Sequence, residues 1–236
     1  MKLIGLISPN LSEDTLEDVC KVFPAGIRIE GRTLKVGKYT DDEFHRAELM
    51  FADLVRDLAR SPLDFLMVTG ELFLSYKGPG SDLEILDLVK TITPTTASTV
   101  LTAVVRGCRA LGLKRIVMAS PFPEDQDERL VKFLAHYGID VVAFRGLGCP
   151  NADVIWELPP VSGYDLATAL LREYPDVDGI YMPCNKWRIV SVIERIEKEN
   201  QKPVVTNTQA WVWDALRLMN MRDRIPGYGQ LLSEFK

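Results

Sequence analysis

Asp178-Gly-Ile-Tyr-Met-Pro-Cys184 is typical of a short buried strand that ends on a small residue. Asp64-Phe-Leu-Met-Val-Thr-Gly70 has the same form and lies about half a chain earlier. Two unrelated strands would also give this similarity. If it is a true repeat, the chain consists of two similar halves. Gly70 and Cys184 then hold equivalent positions that face each other across a cleft.

On both sides of these two stretches, short apolar runs alternate with apolar residues at helical spacing. Strands are predicted at residues 2–8, 27–36, 64–69, 115–119, 139–144, 179–182 and 203–206. Helices are predicted at residues 41–60, 95–111, 125–136, 164–174, 187–198 and 209–219. This alternation predicts an α/β fold, with parallel sheets covered by helices and with functional residues where strands end.

Composition excludes several classes of partner. The formal net charge is −5, and the sequence has no long basic run, so a nucleic-acid surface is not expected. No apolar run approaches the roughly 20 residues that cross a bilayer, so no membrane partner is expected. The opening MKLIGLISPN is too short and too soon interrupted by Pro9 for a signal peptide, which predicts a cytoplasmic location.

The cysteines and histidines give little material for a metal centre. The four cysteines, Cys20, Cys108, Cys149 and Cys184, are widely spaced and form no CxxC pair. In a cytoplasmic chain this spacing is typical of free thiols. With only two histidines, the sequence predicts no metal site and no Ser-His-Asp triad.

Cys184 is the candidate catalytic residue. It follows a predicted strand and precedes a predicted helix, where free N–H groups and the neighbouring Lys186 and Arg188 favour a thiolate. A thiol whose pKa is lowered toward neutrality can give up a proton and take one back. The alternative is that Cys184 is a small buried apolar residue, which is the usual place of a lone cysteine.

Seven stretches together resemble one known family. They are IGLISPN (4–10), TTAST (95–99), RALGLKRI (109–116), DERL (127–130), DGIYMPCNKW (178–187), KPVVTNTQAWVWDALRL (202–218) and PGYGQLL (226–232). In this order they resemble the maleate isomerase and arylmalonate decarboxylase family of the aspartate/glutamate racemase superfamily. The similarity runs along nearly the whole chain, which is more specific than any single motif.

The resemblance implies two Rossmann-like half-domains related by a pseudo-twofold axis, with the active site in the cleft between them. We expect one half to comprise residues 1–93 plus 208–236 and the other residues 94–207. Racemases and maleate isomerases carry one cysteine in each half. Here the second-half cysteine falls on Cys184, but the first-half position falls on Gly70. Arylmalonate decarboxylases also have this glycine, so the chain resembles them more closely.

The chemistry implied by this resemblance needs no cofactor. A malonate loses CO₂ from a carboxylate held in an apolar pocket, and the resulting enediolate is protonated on one face by the thiol of Cys184. Three departures affect the substrate. Glu71 and Leu72 stand where the decarboxylases have two hydroxyl residues, Phe122 stands where they have a tyrosine, and Asn185 and Lys186 follow the cysteine where they have small residues.

Several further residues are candidates for contact with the substrate. If the alignment is shifted, the hydroxyl of Thr69 takes the role of the hydroxyl residues that are absent from this chain. The backbone N–H groups of Glu71 and Asn185 can also form an oxyanion site. Glu71 is otherwise a general base, a recognition group for an amine, or an exposed acid at a helix start. The remaining candidates are Asn10, Ser98 and Asn207, each of which is equally well explained as a helix cap.

Three functions follow from these observations. The first is a decarboxylase-like carbon–carbon lyase that acts on a malonate-type acid. The second is an isomerase or racemase of a small acid, such as maleate or an acidic amino acid, in which Glu71 replaces the missing cysteine. The third is a binding protein for small acids without turnover. In each case the expected partner is a small carboxylic acid, and the expected assembly is a monomer or a small homo-oligomer.

Overall fold

The computed structural model describes residues 1–234 and contains eight strands and eleven helices in that range. The strands are β1 (Lys2–Ser8), β2 (Ile27–Thr33), β3 (Phe65–Val68), β4 (Ala97–Thr99), β5 (Arg115–Ser120), β6 (Asp140–Gly146), β7 (Gly179–Met182) and β8 (Val204–Thr206). The helices are α1 (Glu13–Cys20), α2 (Asp41–Leu58), α3 (Glu71–Ser75), α4 (Ser81–Ile92), α5 (Val100–Ala110), α6 (Glu124–His136), α7 (Ala152–Trp156), α8 (Pro160–Glu173), α9 (Ile193–Asn200), α10 (Asn207–Leu218) and α11 (Gln230–Glu234).

The strands form two four-stranded sheets in which every pairing is parallel. Their orders are β2-β1-β3-β4 and β6-β5-β7-β8. The second sheet repeats the order of the first, so β3 and β7 are equivalent strands beside the equivalent strands β1 and β5. The predicted α/β fold with two parallel sheets is confirmed.

Burial explains why these segments form strands and helices. Every residue of β3 and of β7 is buried, as expected for inner strands of a sheet that helices cover. Helix α2 turns one apolar face to the core through Phe44, Ala47, Phe51, Val55 and Leu58. It begins after Thr40, whose side chain accepts a hydrogen bond from the backbone N–H of Glu43.

Some predicted boundaries are wrong. The helix predicted at residues 95–111 begins with β4, and the helix predicted at residues 187–198 begins as a 3₁₀ turn at Val190–Val192 and continues as α9. Five helices had no prediction, namely α1, α3, α4, α7 and α11. Two of them begin after a glycine in the left-handed conformation, Gly70 and Gly80, which interrupts the helical pattern in the sequence.

The division into half-domains stays a prediction. Strand β4 pairs with β3 in the first sheet, so we propose that the first half extends past residue 93 to include β4. Residues 235 and 236, the end of the predicted first half, lie outside the described residues. Among the helices of residues 1–234, none has the length and apolar character needed to cross a bilayer.

A buried carboxylate connects β4, α5 and α10. Asp214 in α10 has only 2% of its side chain exposed, whereas Arg106 in α5 has 41% exposed. Nη1 of Arg106 donates to both carboxylate oxygens of Asp214, at 3.1 and 2.9 Å. Ser98 in β4 donates its hydroxyl to Oδ2 of Asp214 at 2.6 Å. This cluster ties the first sheet to the helix that follows the last strand of the second.

The unequal burial of this pair gives a testable asymmetry. Arg106→Met leaves a buried carboxylate with only the Ser98 hydroxyl, so we expect the free energy of unfolding to fall by about 2–3 kcal/mol. Asp214→Asn leaves no buried charge, and Arg106 can turn to water, so the expected loss is about 1 kcal/mol. Reversible urea unfolding measures both. A larger loss in the asparagine variant than in the methionine variant would contradict this account.

Candidate active site

A cleft with an empty volume of about 470 Å³ lies at the carboxyl ends of strands from both sheets. This is the side of a parallel sheet where ligands bind in α/β proteins. The walls come from the segments after β1, β2, β3, β5 and β7 and from the start of α7. They consist of Ser8, Pro9, Asn10, Val36, Tyr39, Phe44, Thr69, Gly70, Glu71, Leu72, Phe73, Phe122, Ala152, Cys184, Asn185 and Lys186.

Gly70 and Cys184 occupy equivalent positions in the two halves. Each is the second residue after its strand, and both have a left-handed backbone, with φ of +99° at Gly70 and +83° at Cys184. This conformation costs a cysteine roughly 1–2 kcal/mol and costs glycine nothing. The sequence repeat at these two stretches therefore extends to the backbone conformation.

The first half has no room for a second thiol. A Cβ atom at Gly70 would lie 2.1 Å from Cγ and 2.6 Å from Cδ of Pro9. These atoms belong to a proline ring that follows β1, so they cannot rotate away as the end of a flexible side chain can. A similar sequence recurs after β5, where Ser120-Pro121-Phe122 matches Ser8-Pro9-Asn10. Pro9 thus fills the place that a cysteine side chain would take.

Cys184 lies in the wall of the cleft with 8% of its surface exposed. The predicted thiolate is wrong for the free protein. Burial raises the pKa of the Cys184 thiol well above its ordinary value, and the charge of Glu71 raises it further. The backbone N–H groups of Lys186 and Trp187 and the charge of Lys186 lower the pKa only in part. These N–H groups belong to a turn, since the next helix begins several residues later.

Glu71 lines the cleft beside Cys184 and is buried, with 4% exposed, so the alternative of an exposed acid at a helix start is wrong. Burial raises its pKa from 4.5 to about 7. Its own backbone N–H, the amide of Asn207 and the backbone N–H of Cys184 offset this only in part. Oε1 of Glu71 has no hydrogen-bond partner of normal geometry within the described chain. The carboxyl group therefore holds its proton to a higher pH than an exposed glutamate does.

The structure brings most of the predicted site residues together. Seven of them line the cleft: Asn10, Thr69, Gly70, Glu71, Phe122, Cys184 and Asn185. The hydroxyl of Thr69 already donates to the carbonyl oxygen of Ile7 at 3.4 Å. Asn185 keeps a buried side-chain oxygen without a hydrogen-bond partner among residues 1–234.

Two predicted residues lie outside the cleft wall. Ser98 belongs to the buried cluster with Asp214. Asn207 is fully buried beside Glu71, and its Oδ1 accepts a hydrogen bond from the hydroxyl of Tyr181 at 2.7 Å. This hydrogen bond fixes the amide, whose Nδ2 has no partner within normal distance among the described residues. Asn207 therefore supports Glu71 from behind and does not face the cleft.

Sequence reasoning missed Tyr39, which lines the cleft from the segment between β2 and α2. Its ring meets the ring of Phe122 edge to face, with the centroids 5.6 Å apart. Burial and then the charges of Cys184 and Glu71 raise its pKa, so the phenol stays protonated and can donate a hydrogen bond. No local pattern in the sequence indicated this position, because Tyr39 lies in an irregular segment.

Lys186 is the cation in the cleft wall. Its Nζ donates to Oγ of Ser12 at 3.0 Å and lies 5.2 Å from the ring centre of Trp156. Burial lowers its pKa, while the charges of Cys184, Asp153 and Asp14 raise it in part. Within residues 1–234 no three side chains of His, Cys, Asp and Glu form a group that could hold a metal ion.

Comparisons with known proteins agree with the motifs in the sequence. A family model for arylmalonate decarboxylase matches residues 4–232. The arylmalonate decarboxylase of Bordetella bronchiseptica is 27% identical over 232 residues, which cover 98% of this chain and 96% of that protein. A liganded arylmalonate decarboxylase with one glycine-to-cysteine and one cysteine-to-serine substitution has a TM-score of 0.92 and 25% identity, and the match covers 99% of this chain and 100% of that chain.

A maleate isomerase is a more distant relative. The enzyme of Pseudomonas putida is 24% identical over 131 residues, which cover 56% of this chain and 52% of that protein. The sequence match over the full chain is to arylmalonate decarboxylase. The fold also matches maleate isomerase over the full chain: a Nocardia farcinica maleate isomerase variant has a TM-score of 0.90 and 18% identity, and the match covers 99% of this chain and 98% of that chain. The resemblance derived from the sequence motifs is confirmed.

The raised pKa of Glu71 predicts a pH-dependent stability with a definite sign. The unfolded chain loses this proton near pH 4.5 and the folded chain near pH 7, so the stability that neutral Glu71 contributes is lost as the pH rises through that window. Relative to the unsubstituted chain, Glu71→Gln should therefore gain about 3 kcal/mol of unfolding free energy between about pH 4 and about pH 8. Urea unfolding across that range measures the difference.

Glu48→Gln is the matched control. Hydrogen bonds from Lys77 and Tyr76 lower the pKa of Glu48 against the effect of its partial burial. Its contribution is present at high pH and is lost as the pH falls, so this variant should lose stability relative to the unsubstituted chain as the pH rises. If the unfolding free energy of each variant differed from that of the unsubstituted chain by the same amount at every pH, the assigned protonation state of Glu71 would be wrong.

Proposed function

The chain belongs to the arylmalonate decarboxylase family, and we propose that it is a cofactor-independent carbon–carbon lyase that decarboxylates a malonate-type acid. In this proposal Cys184 is the catalytic proton donor, and neither a metal nor an organic cofactor takes part. The partner is a small carboxylic acid, and the location is the cytoplasm. The proposed assembly is a monomer or a small homo-oligomer.

One observation carries this function. Cys184 and Gly70, which holds the equivalent position in the other half, both line the cleft, and Pro9 occupies the space that a second thiol at position 70 would need. A racemase with two thiols needs one on each face of the reacting carbon. A decarboxylase that protonates one face needs only one. The asymmetry therefore favours decarboxylation followed by protonation on the side of Cys184.

The apolar part of the wall supports loss of CO₂. Val36, Phe44, Leu72 and Phe73 line the cleft and offer a carboxylate no hydrogen-bond donor from their side chains. A carboxylate held there loses its hydration, which raises its free energy relative to neutral CO₂. The carbon–carbon bond breaks, and its electron pair passes into the remaining carboxylate as an enediolate.

Protonation completes the reaction. The enediolate carbon takes the proton of the Cys184 thiol, which yields the monocarboxylate product and a thiolate. The thiolate recovers a proton from water, and no redox change occurs. The raised pKa of Cys184 keeps the thiol protonated before the reaction, as a proton donor requires. A carbanion-like centre is far more basic than a thiolate, so the transfer remains favourable.

The donors that hold the surviving carboxylate differ from those implied by the family resemblance. Glu71, when neutral, donates one O–H, and Tyr39 donates its phenol hydroxyl in place of the hydroxyl that Phe122 lacks. The backbone N–H of Asn185 adds a third donor. Preorganised donors of this kind stabilise the charge that develops on an enediolate.

A second candidate rests on Glu71. A buried carboxyl group with a pKa of about 7 lies in the same cleft as Cys184 and has an oxygen without a partner. Such a group suits a general base on the face opposite the thiol. The chain would then be an isomerase or racemase of a small acid, with Glu71 and Cys184 exchanging the α-proton.

Turnover in D₂O separates the two candidates and tests Cys184. Decarboxylation of 2-substituted malonates releases CO₂ and labels only the product, whereas racemisation exchanges the α-hydrogen of recovered substrate. We expect the first outcome, and a loss of at least about 100-fold in kcat for Cys184→Ala. Cys149→Ala is the control, because Cys149 is buried outside the cleft wall and should leave the rate unchanged. An unchanged rate in Cys184→Ala would remove this thiol from the mechanism.

The role of Tyr39 can be tested by moving its hydroxyl. Tyr39→Phe removes a hydrogen bond to a charged intermediate, so we expect kcat/KM to fall by about 10- to 100-fold. Adding Phe122→Tyr in the same chain returns a hydroxyl to the adjacent ring and should restore part of the loss. Thermal unfolding checks that both variants remain folded. Full activity of Tyr39→Phe would show that the phenol hydroxyl does not touch the substrate.

A further inference from the structure

We propose that Lys186 binds a carboxylate on the substituent of the substrate, so that the preferred substrate is a malonate whose side group is itself acidic. This inference rests on the proposed function and specifies its substrate class. It concerns a charge at the edge of the cleft, separate from the thiol and the donors around the reacting carbon.

Lys186 lines the cleft, and its ammonium group contacts residues from two other elements. Its Nζ hydrogen-bonds with Ser12, the N-cap residue of α1, and lies over the ring of Trp156 at the end of α7. The side chain thus reaches from the segment after β7 to a loop of the other half. A substrate whose reacting carbon meets Cys184 would extend its substituent toward this ammonium group.

The ammonium group has no anionic partner at bonding distance. Among residues 1–234, no carboxylate oxygen lies within 4.0 Å of Nζ of Lys186. Within this part of the chain, its hydrogen-bond acceptor is a neutral hydroxyl, and the ring of Trp156 adds a cation–π contact. Asp14 and Asp153 act on it only through longer-range attraction. A half-buried cation without a counterion is destabilised, and a bound carboxylate would relieve this cost.

The rest of the wall matches an acid with an apolar spacer. Val36, Phe44, Phe122 and Ala152 give the cleft an apolar surface that would contact the spacer. The carboxyl group of Glu71 lies beside Cys184, where its charge raises the pKa of the thiol. In the proposed mechanism neutral Glu71 holds a carboxylate of the malonate itself. An additional acidic group on the substituent is therefore attracted to Lys186, the cation in the cleft wall, which orients the ligand.

Arg188 provides a matched control. Its guanidinium group also lies over the ring of Trp156, with 5.0 Å between Cζ and the ring centre. Arg188 is exposed and does not line the cleft. Removal of the Arg188 charge changes the electrostatic potential near Trp156, as removal of the Lys186 charge does, but it removes no side chain that lines the cleft.

The experiment uses two pairs of substrates that differ only in charge. One pair is 4-carboxyphenylmalonate and 4-carbamoylphenylmalonate, and the other is carboxymethylmalonate and carbamoylmethylmalonate. Steady-state decarboxylation is measured for the unsubstituted chain, Lys186→Met, Lys186→Arg and Arg188→Met, with calorimetric binding of each malonate alongside. In at least one pair, we expect the unsubstituted chain to favour the carboxylate by about tenfold in kcat/KM, mainly through KM.

Lys186→Met should abolish this preference, whereas Lys186→Arg and Arg188→Met should retain it. An equal loss on carboxylate and carboxamide in Lys186→Met would mean that Lys186 holds the reacting malonate itself, which overturns the inference. Absence of a preference in the unsubstituted chain would also overturn it. If none of the four acids released CO₂, the proposed function would be wrong. The calorimetric binding constants of each carboxylate and its matching carboxamide would then test the role of Lys186.

Discussion

The site depends on one backbone constraint, the sharp turn that follows β3 and β7. In both halves the chain leaves an inner strand and must reverse within two residues, which requires a left-handed backbone at Gly70 and Cys184. The turn after β7 places a thiol where the carboxyl ends of parallel strands meet. A cysteine tolerates this conformation only at a cost in stability, and such strain is typical of functional sites. The same geometry in the other half is satisfied at no cost by glycine.

The two halves are alike in backbone and unlike in chemistry, and this difference makes a one-sided reaction possible. Pro9 occupies the volume beside Gly70, so the first half contributes a carboxyl group one residue later, at Glu71, in place of a thiol. Behind it, Tyr181 holds the amide of Asn207 in place. The first half therefore supplies a titratable acid, and in the proposed mechanism the second half supplies the thiol that donates the proton. A symmetric scaffold thus carries an asymmetric site.

The sequence predicted the layers of the fold well, because inner parallel strands such as β3 and β7 are short apolar runs with clear ends. It failed for β4, whose three residues run directly into the helical pattern of α5. At the site, the position of Cys184 after a strand was sufficient to place it at a sheet edge. Its pKa was not predictable, since that depends on burial and on Glu71, which arrives from the other half. Tyr39 could not be found for the same reason, as its neighbour Phe122 is distant in sequence.

The charges of Glu71, Cys184 and Lys186 affect one another within the cleft. Burial and the charge of Glu71 raise the pKa of Cys184, and the charge of Lys186 lowers it, so the protonation state of Glu71 shifts the pKa of the thiol in addition to the effect of burial. An incoming dianion favours the protonated form of Glu71, because a second negative charge in a buried site is costly. In the proposed mechanism the protonated carboxyl group donates a hydrogen bond to the substrate, and its charge no longer raises the pKa of Cys184. In this proposal a single proton on Glu71 links binding of the acid to the pKa of the Cys184 thiol, so that a protonated carboxyl group can stand where the resemblance implies hydroxyls.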